Sequence, residues 1–213
     1  MRSPALQRTL WIVAFLVLAA ALGVGAVELW RIRSANGLAQ LTEKVTGTAT
    51  VGGPYSLIDQ EGNRVTERSF PGLYRLIVFG FTSCPDVCPT ELQNISDTLD
   101  LLGSDVNKIQ PLFITVDPER DTPAVMKDFI SHFHPRIRGL SGTPEEVAAA
   151  AKAFRVYYQK VPTNEPNFYM MDHSTVIYFM DPGGQFLVHF NATTTPKDMA
   201  DTIHRYMQKG SAS

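Results

Sequence analysis

The sequence contains only two cysteines among 213 residues, and its charges are nearly balanced, with 19 Lys and Arg against 21 Asp and Glu. Two cysteines cannot form a disulfide scaffold or a four-thiolate zinc site. A net charge of −2 argues against a protein that works by neutralising phosphates, so we expect no nucleic-acid partner. With 44% hydrophobic and 19% charged residues, the composition is that of a folded chain and excludes collagen-like, coiled-coil and disordered classes.

One long apolar segment lies near the N-terminus. Residues 10–27 read LWIVAFLVLAAALGVGAV, and as a helix they would span about 27 Å, close to the ~30 Å hydrocarbon core of a bilayer. This length favours a retained transmembrane anchor over a cleaved signal peptide, for which residues 24–26 offer a small-residue cleavage site. Arg2 and Arg8 favour a cytoplasmic N-terminus. Because the segment before the run is too short for a mitochondrial leader, we expect a single-pass bacterial inner-membrane protein whose soluble domain faces the periplasm.

The sequence predicts three parts: a cytoplasmic stub and anchor at 1–33, a small and polar tether at 34–53, and a folded domain at 54–213. In the domain, apolar patterning predicts strands at 55–59, 64–66, 74–81, 110–116, 137–140, 175–180 and 186–190. It predicts helices from the cysteine segment to residue 102, and at 122–133, 144–158 and 196–208. This alternation predicts an α/β domain with a mixed central sheet.

The two cysteines, Cys84 and Cys88, lie between the strand at 74–81 and the helix that follows it. If residues 85–88 open the helix, the spacing puts the two Cα atoms about 6 Å apart, within range of a disulfide or a shared metal. The positive end of a helix favours the thiolate form of both. A disulfide here would close a loop of about five residues and stabilise the fold by only about 2 kcal/mol, so we favour a reactive or metal-binding pair over a structural disulfide.

Two thiolates favour a soft metal with an imidazole as the third ligand, and therefore copper or zinc over magnesium or calcium. Copper is favoured because two or three ligands satisfy Cu(I), whereas structural zinc requires four. The candidate histidine is His173, in a predicted loop at 170–174 before the strand at 175–180. From the sequence pattern alone, His173 could also have a role other than metal ligation. Capping, solvated or outward-facing roles are expected for the other four histidines, His132, His134, His189 and His204.

Three ordered motifs, FGFTSCPDVCPT at 79–90, VDPERDTP at 116–123 and DHS at 172–174, closely resemble those of the Sco/SenC family of membrane-anchored copper proteins. The resemblance runs from about residue 53 to residue 208. It implies a thioredoxin-like fold, with helices flanking the central sheet, that binds one copper ion, Cu(I) or Cu(II), through Cys84, Cys88 and His173. The family's usual role is to supply copper to the binuclear site of cytochrome c oxidase subunit II, or to keep the cysteines of that site reduced.

The resemblance also implies roles for residues near these ligands. Asp172 is expected to tune the copper from beside His173. Asp117 is expected to shape a loop at the end of a sheet strand, with a turn or cap role equally open. Met170 and Met171 offer thioethers for Cu(I), although filling the hydrophobic loop is the favoured role. The expected partners are cytochrome c oxidase subunit II or another cuproprotein, an upstream copper donor or thiol reductant, and the membrane.

Two other activities are open. A thiol:disulfide reductase would use Cys84 and Cys88 as a redox pair without a metal. A peroxidase is suggested because residues 88–91, CPTE, look like part of the peroxiredoxin active-site motif. That reading ranks third, because Pro85 stands where the peroxiredoxin motif carries a threonine.

Overall fold

The computed structural model describes residues 51–164 and 168–210. The anchor predicted at 10–27 and nearly all of the tether predicted at 34–53 lie outside these residues. Within the described ranges, no helix is long and apolar enough to cross a membrane. The chain divides between Ala49 and Thr50, and every described residue lies in the second unit.

The described residues contain nine strands and four α-helices, numbered here in chain order. The strands are β1 (Ser56–Asp59), β2 (Arg64–Thr66), β3 (Tyr74–Gly80), β4 (Ile109–Thr115), β5 (Arg138–Ser141), β6 (Tyr158–Pro162), β7 (Tyr169–His173), β8 (Ile177–Met180) and β9 (Phe186–Phe190). The helices are α1 (Val87–Leu101), α2 (Pro123–Ile130), α3 (Pro144–Ala153) and α4 (Pro196–Gly210), with a short 3₁₀ helix at Gly103–Lys108.

Seven strands form one sheet in the order β2-β1-β5-β4-β3-β8-β9. The three central strands β3, β4 and β5 run parallel, and the other pairs are antiparallel, so the predicted mixed sheet is confirmed. Helices lie on both faces of the sheet. Phe113 in β4 packs on Phe129 of α2. Phe79 in β3 points to the opposite face, because it pairs with the residue next to Phe113, and it packs on Phe154 at the end of α3. This sheet with flanking helices fits the thioredoxin-like fold.

The parallel pair β3 and β4 sets the place of the site. Both strands are buried along almost their whole length, which explains their continuous apolar sequences. In register, Gly80 at the end of β3 lies opposite Thr115 at the end of β4. The cysteine segment that follows β3 and the loop that follows β4 therefore leave the sheet at the same edge.

Helix α3 ends five residues earlier than predicted. Its start is as expected, because Thr143 caps the helix and forms a capping box with Glu146. At its end Arg155 takes a left-handed conformation, with φ of 58°, and the amide of Val156 donates to the carbonyl of Ala151 at 2.8 Å. This is the Schellman arrangement, which usually has glycine in the left-handed position. Because this position carries arginine, the sequence did not indicate that the helix ends there.

The predicted loop at 170–174 is wrong. Strands β6 and β7 pair as an antiparallel hairpin outside the main sheet, in which Tyr158 lies opposite His173. The sequence pattern predicts Tyr158 in the preceding helix. Because β6 is largely exposed, the hairpin shows no alternating apolar pattern that would have predicted it. His173 is therefore the last residue of a strand.

Candidate metal centre

The cysteine segment begins where β3 ends and continues into α1. Helix α1 starts at Val87, two residues later than Pro85, and its N-cap residue Asp86 makes no side-chain capping bond. Cys84 therefore lies in the loop and is half-buried, whereas Cys88 lies in the first helical turn and is only 1% exposed. The two sulfurs thus differ in their access to solvent.

Gly80 allows Cys88 to lie against the sheet. A Cβ atom at position 80 would stand 2.9 Å from the Sγ of Cys88 and 2.7 Å from the ring of Phe113, closer than real Cβ contacts. Only glycine leaves this space. Its role was not foreseen from the sequence, where the only sign is a glycine between two phenylalanines at the end of a buried strand.

Cys88 contacts both of the other predicted ligands. Its amide lies 3.5 Å from the Sγ of Cys84, and its own Sγ lies 3.5 Å from the Nε2 of His173, which is 85 residues away in the chain. For comparison, bonds of about 2.3 Å to sulfur and 2.0 Å to nitrogen at a tetrahedral angle place two zinc ligands about 3.5 Å apart. Across the described residues, however, no group of three or more His, Cys, Asp or Glu side chains is arranged so that it could hold a metal ion as it stands. Cys88 therefore lies between the other two residues and contacts each of them.

The imidazole of His173 is oriented by its backbone neighbour. Its Nδ1 lies 3.1 Å from the carbonyl oxygen of Ser174. Because a carbonyl can only accept, this contact assigns the proton to Nδ1 and leaves a lone pair on Nε2, which faces Cys88. The edge-on ring of Phe81, 5.8 Å between centroids, packs against the imidazole. His173 is thus held in the form that can ligate a metal or accept the thiol proton.

Burial keeps both groups of this contact neutral. It raises the pKa of the Cys88 thiol and lowers the pKa of His173. The helix N-terminus was expected to favour the thiolate form of both cysteines, but for Cys88 burial acts in the opposite direction and is the largest influence on the pKa of the thiol. A metal that binds the Cys88 sulfur must displace its proton.

A cavity of about 300 Å³ opens beside these residues. Cys84 and His173 line it together with the apolar side chains of Phe81, Met170 and Met171. Met171 is also part of the buried core, as predicted for a packing residue, whereas Met170 is half-buried. The cavity therefore gives a soft ion a largely apolar route to Cys84.

The two predicted acidic residues take different positions. Asp172 is exposed at the cavity, where its charge favours the protonated form of His173 and partly opposes the effect of burial. Asp117 is buried, accepts a hydrogen bond from the Tyr169 hydroxyl at 2.7 Å and pairs with Arg120. Its carbonyl also accepts from the amide of Arg120, so Asp117 lies in a turn. Asp117 thus contacts the strand that carries His173.

Glu91, one turn after Cys88, was not identified from the sequence as anything more than part of a motif. It is 2% exposed, and neither carboxyl oxygen has a hydrogen-bond partner among the described residues. Burial raises the pKa of Glu91 to about 7. Its position in the apolar stripe of α1, four residues before Ile95, is the sequence signal that could have revealed it.

Of the remaining histidines, two are exposed, as expected, and two are half-buried beside an acidic side chain. His132 and His189 are exposed. His204 contacts Asp105 at 3.1 Å, and His134 lies 3.7 Å from Asp100. The structure brings only His173 to the cysteines.

Comparison with known proteins identifies the family of this chain. The SCO1/SenC family model matches residues 43–208. The chain belongs to the SCO1/SenC family. Among its relatives, protein sco1 of Schizosaccharomyces pombe is 41% identical over 197 residues, which cover 90% of this chain and 75% of the relative.

Solved SCO1/SenC structures share the fold. ScoI of Bradyrhizobium japonicum with copper bound is 49% identical, with a TM-score of 0.69 over 73% of this chain and 99% of that one. Yeast Sco1 with copper bound is 43% identical, with a TM-score of 0.69 over 75% of this chain and 89% of that one. The thioredoxin-like α/β architecture implied by the sequence motifs is therefore that of SCO1/SenC proteins.

Proposed function

We propose that this chain binds one copper ion through Cys84, Cys88 and His173 and supports assembly of the binuclear copper site of cytochrome c oxidase subunit II. The observation that carries the proposal is the 3.5 Å contact between the Cys88 sulfur and the unprotonated nitrogen of His173. The relatives solved with copper bound, at 49% and 43% identity, support copper as the metal.

The donor set suits copper that must be both held and released. Two sulfurs and one imidazole are soft or borderline ligands, and three of them satisfy Cu(I) but leave a structural zinc site incomplete. The half-buried Cys84 offers a place where an acceptor's ligand can begin to exchange. The partners that follow are an upstream copper donor and the oxidase subunit or another cuproprotein as acceptor.

The test is copper binding by the full chain purified in detergent. The Cu(II)-loaded protein is expected to show sulfur-to-metal charge-transfer absorption that is lost in Cys84→Ser and Cys88→Ser and lost or strongly shifted in His173→Ala. His189→Ala, which removes an exposed histidine, is the matched control and should bind as the wild type does. Wild-type binding in any of the three ligand variants would rule out the proposed set of ligands.

We further propose that residues 10–27 anchor the chain in the bacterial inner membrane, with the copper-binding domain in the periplasm. The support is the uncharged 18-residue run and the arginines before it. Protease added to spheroplasts should digest the domain while a cytoplasmic marker survives. Protection of the domain until the membrane is lysed would contradict this orientation.

A second candidate is a thiol:disulfide reductase that acts on the cysteines of the same acceptor. It is favoured by the contact between Cys84 and Cys88, both of which are free thiols, and by the greater exposure of Cys84 as the attacking sulfur. In this reaction the two thiols are oxidised to a disulfide while the partner's disulfide is reduced. If His173→Ala keeps oxidase assembly intact in cells while either cysteine variant abolishes it, the reductase is the correct function.

A further inference from the structure

The ligand His173 lies on an element separate from the one that carries the cysteines. The hairpin of β6 and β7 is not part of the seven-stranded sheet, whereas Cys84 and Cys88 follow directly from a central strand of that sheet. The distance between the imidazole and the Cys88 sulfur therefore depends on what holds the hairpin against the rest of the domain.

The loop at 117–121, which follows β4, holds the hairpin through Tyr169. The carboxylate of Asp117 accepts a hydrogen bond from the Tyr169 hydroxyl at 2.7 Å. Arg120 donates to the Tyr169 carbonyl at 3.0 Å, and its guanidinium lies 3.9 Å from the centre of the Tyr169 ring. Arg120 also forms an ion pair with Asp117, so the contacts to ring, hydroxyl and backbone form one connected group.

The same loop holds the cysteine segment through Asp121. Its buried carboxylate accepts from the backbone amide of Thr82 at 3.0 Å and from the Thr82 hydroxyl at 2.6 Å. It also accepts from the hydroxyl of Thr115 at 2.5 Å, at the end of β4. Thr82 is two residues before Cys84, so this carboxylate fixes the point where the cysteine segment leaves the sheet.

Arg120 also lies close to the packing of the imidazole. Its guanidinium is 5.9 Å from the centre of the Phe81 ring, and the Phe81 ring packs edge-on against His173. Among the contacts that the structure describes, none joins Arg120 to a sulfur of the cysteines or a nitrogen of His173. Arg120 is therefore a positioning residue and not a candidate ligand.

We propose that residues 117–121 form a brace that positions His173 relative to the two cysteines, with Arg120 and Asp117 holding the hairpin and Asp121 holding the cysteine segment. The inference rests on the proposed copper function and adds positioning residues to it. The brace determines how fully the imidazole contributes to copper binding.

The test compares Arg120→Leu and Tyr169→Phe with the wild type, all as full chains in detergent. Cu(I) affinity is measured by competition with a chelator, and the Cu(II) charge-transfer spectrum is recorded. Arg120→Leu should weaken binding by about tenfold or more, and Tyr169→Phe, which loses only the hydrogen bond to Asp117, by roughly threefold to tenfold. Both spectra should shift toward that of His173→Ala.

The matched control is Lys127→Gln in α2, the helix that follows the loop. Lys127 makes an exposed ion pair with Glu61 at 2.9 Å, which does not involve the hairpin, and such surface pairs contribute little. This variant should keep the wild-type affinity and spectrum. A change as large as that in Arg120→Leu would overturn the brace, because loss of a surface charge elsewhere would then suffice.

A double variant tests whether Arg120 acts through the imidazole. In the His173→Ala background, Arg120→Leu should cause no further loss of affinity. An equal additional loss would overturn the proposal, as would wild-type binding by folded Arg120→Leu and Tyr169→Phe. If Arg120→Leu does not fold, Tyr169→Phe and its double variant decide the question. Wild-type binding by His173→Ala itself would instead refute the copper site, so the two failures are distinct.

Discussion

Gly80 decides how closely the Cys88 thiol can approach the sheet. Replacement by alanine would place a methyl group 2.9 Å from that sulfur and 2.7 Å from the Phe113 ring, neither of which can move freely in the core. Gly80→Ala is therefore expected to destabilise the fold by about 1–3 kcal/mol and to weaken copper binding. Denaturant unfolding and chelator competition measure the two effects.

Gly53→Ala is the matched control, because its new methyl group would meet only the Cβ of Ala153, at 3.4 Å. It should change neither quantity appreciably. If Gly80→Ala unfolds and binds copper as this control does, the close approach at Cys88 has no energetic importance.

Glu91 predicts a pH dependence of stability. Its pKa is raised by burial from 4.5 to about 7, so between these values the folded chain keeps a proton that the unfolded chain has released. The contribution of Glu91 to the free energy of unfolding is therefore fully present below pH 4.5 and is lost as the pH rises through 7. The free energy of unfolding should decrease by up to roughly 3 kcal/mol over this range. Glu91→Gln should remove this slope, as measured by urea unfolding between pH 4.5 and 8.

The control for this prediction is Asp97→Asn, which changes an exposed acid on the same helix. It should retain the wild-type slope. A Glu91→Gln curve that runs parallel to the wild-type curve would show that the Glu91 carboxyl does not titrate in this range.

Residue-level prediction from the sequence reached the local features of the site but not its distant contacts. The spacing of Cys84 and Cys88 predicted that the two residues lie close together, and the Cys88 amide does contact the Cys84 sulfur, although the helix begins at Val87 and leaves Cys84 in the loop. Patterning alone left the role of His173 open, because its contact with Cys88 spans 85 positions. The hydrogen bonds of Asp121 and the packing at Gly80 could not be predicted from the sequence, because each depends on how separate segments of the chain pack together.

At the scale of elements, α3 provides a defined test of capping. The Thr143 hydroxyl accepts from the Glu146 amide at 3.2 Å, and the Glu146 carboxylate accepts from the Thr143 amide at 2.9 Å. Thr143→Ala should lower the free energy of unfolding by about 1 kcal/mol, whereas Thr143→Ser should keep most of it. Equal stability of the serine and alanine variants in thermal unfolding would show that the cap contributes nothing.

The elements also show where sequence patterns are informative. Strands β3 and β4 could be predicted because burial on both faces requires a continuous apolar run. The end of α3 could not, because Arg155 occupies a position that usually carries glycine. The hairpin of β6 and β7 was missed because β6 buries little and so lacks an apolar period.

At the scale of the whole molecule, the parallel strands bring two consecutive loops to one edge of the sheet. The first carries the cysteines, and the second, at 117–121, contacts the hairpin that carries His173. The membership of the chain in the SCO1/SenC family and its overall fold followed from three short motifs. The way in which the middle motif joins the other two required the structure.

The most direct test of the account is X-ray absorption at the copper edge of the full chain loaded with one equivalent of Cu(I). We expect two sulfur ligands and one nitrogen ligand in the wild type, and loss of the nitrogen in His173→Ala. A copper ion bound by fewer than two sulfurs, or identical spectra for the wild type and His173→Ala, would contradict the proposal that Cys84, Cys88 and His173 share one copper ion.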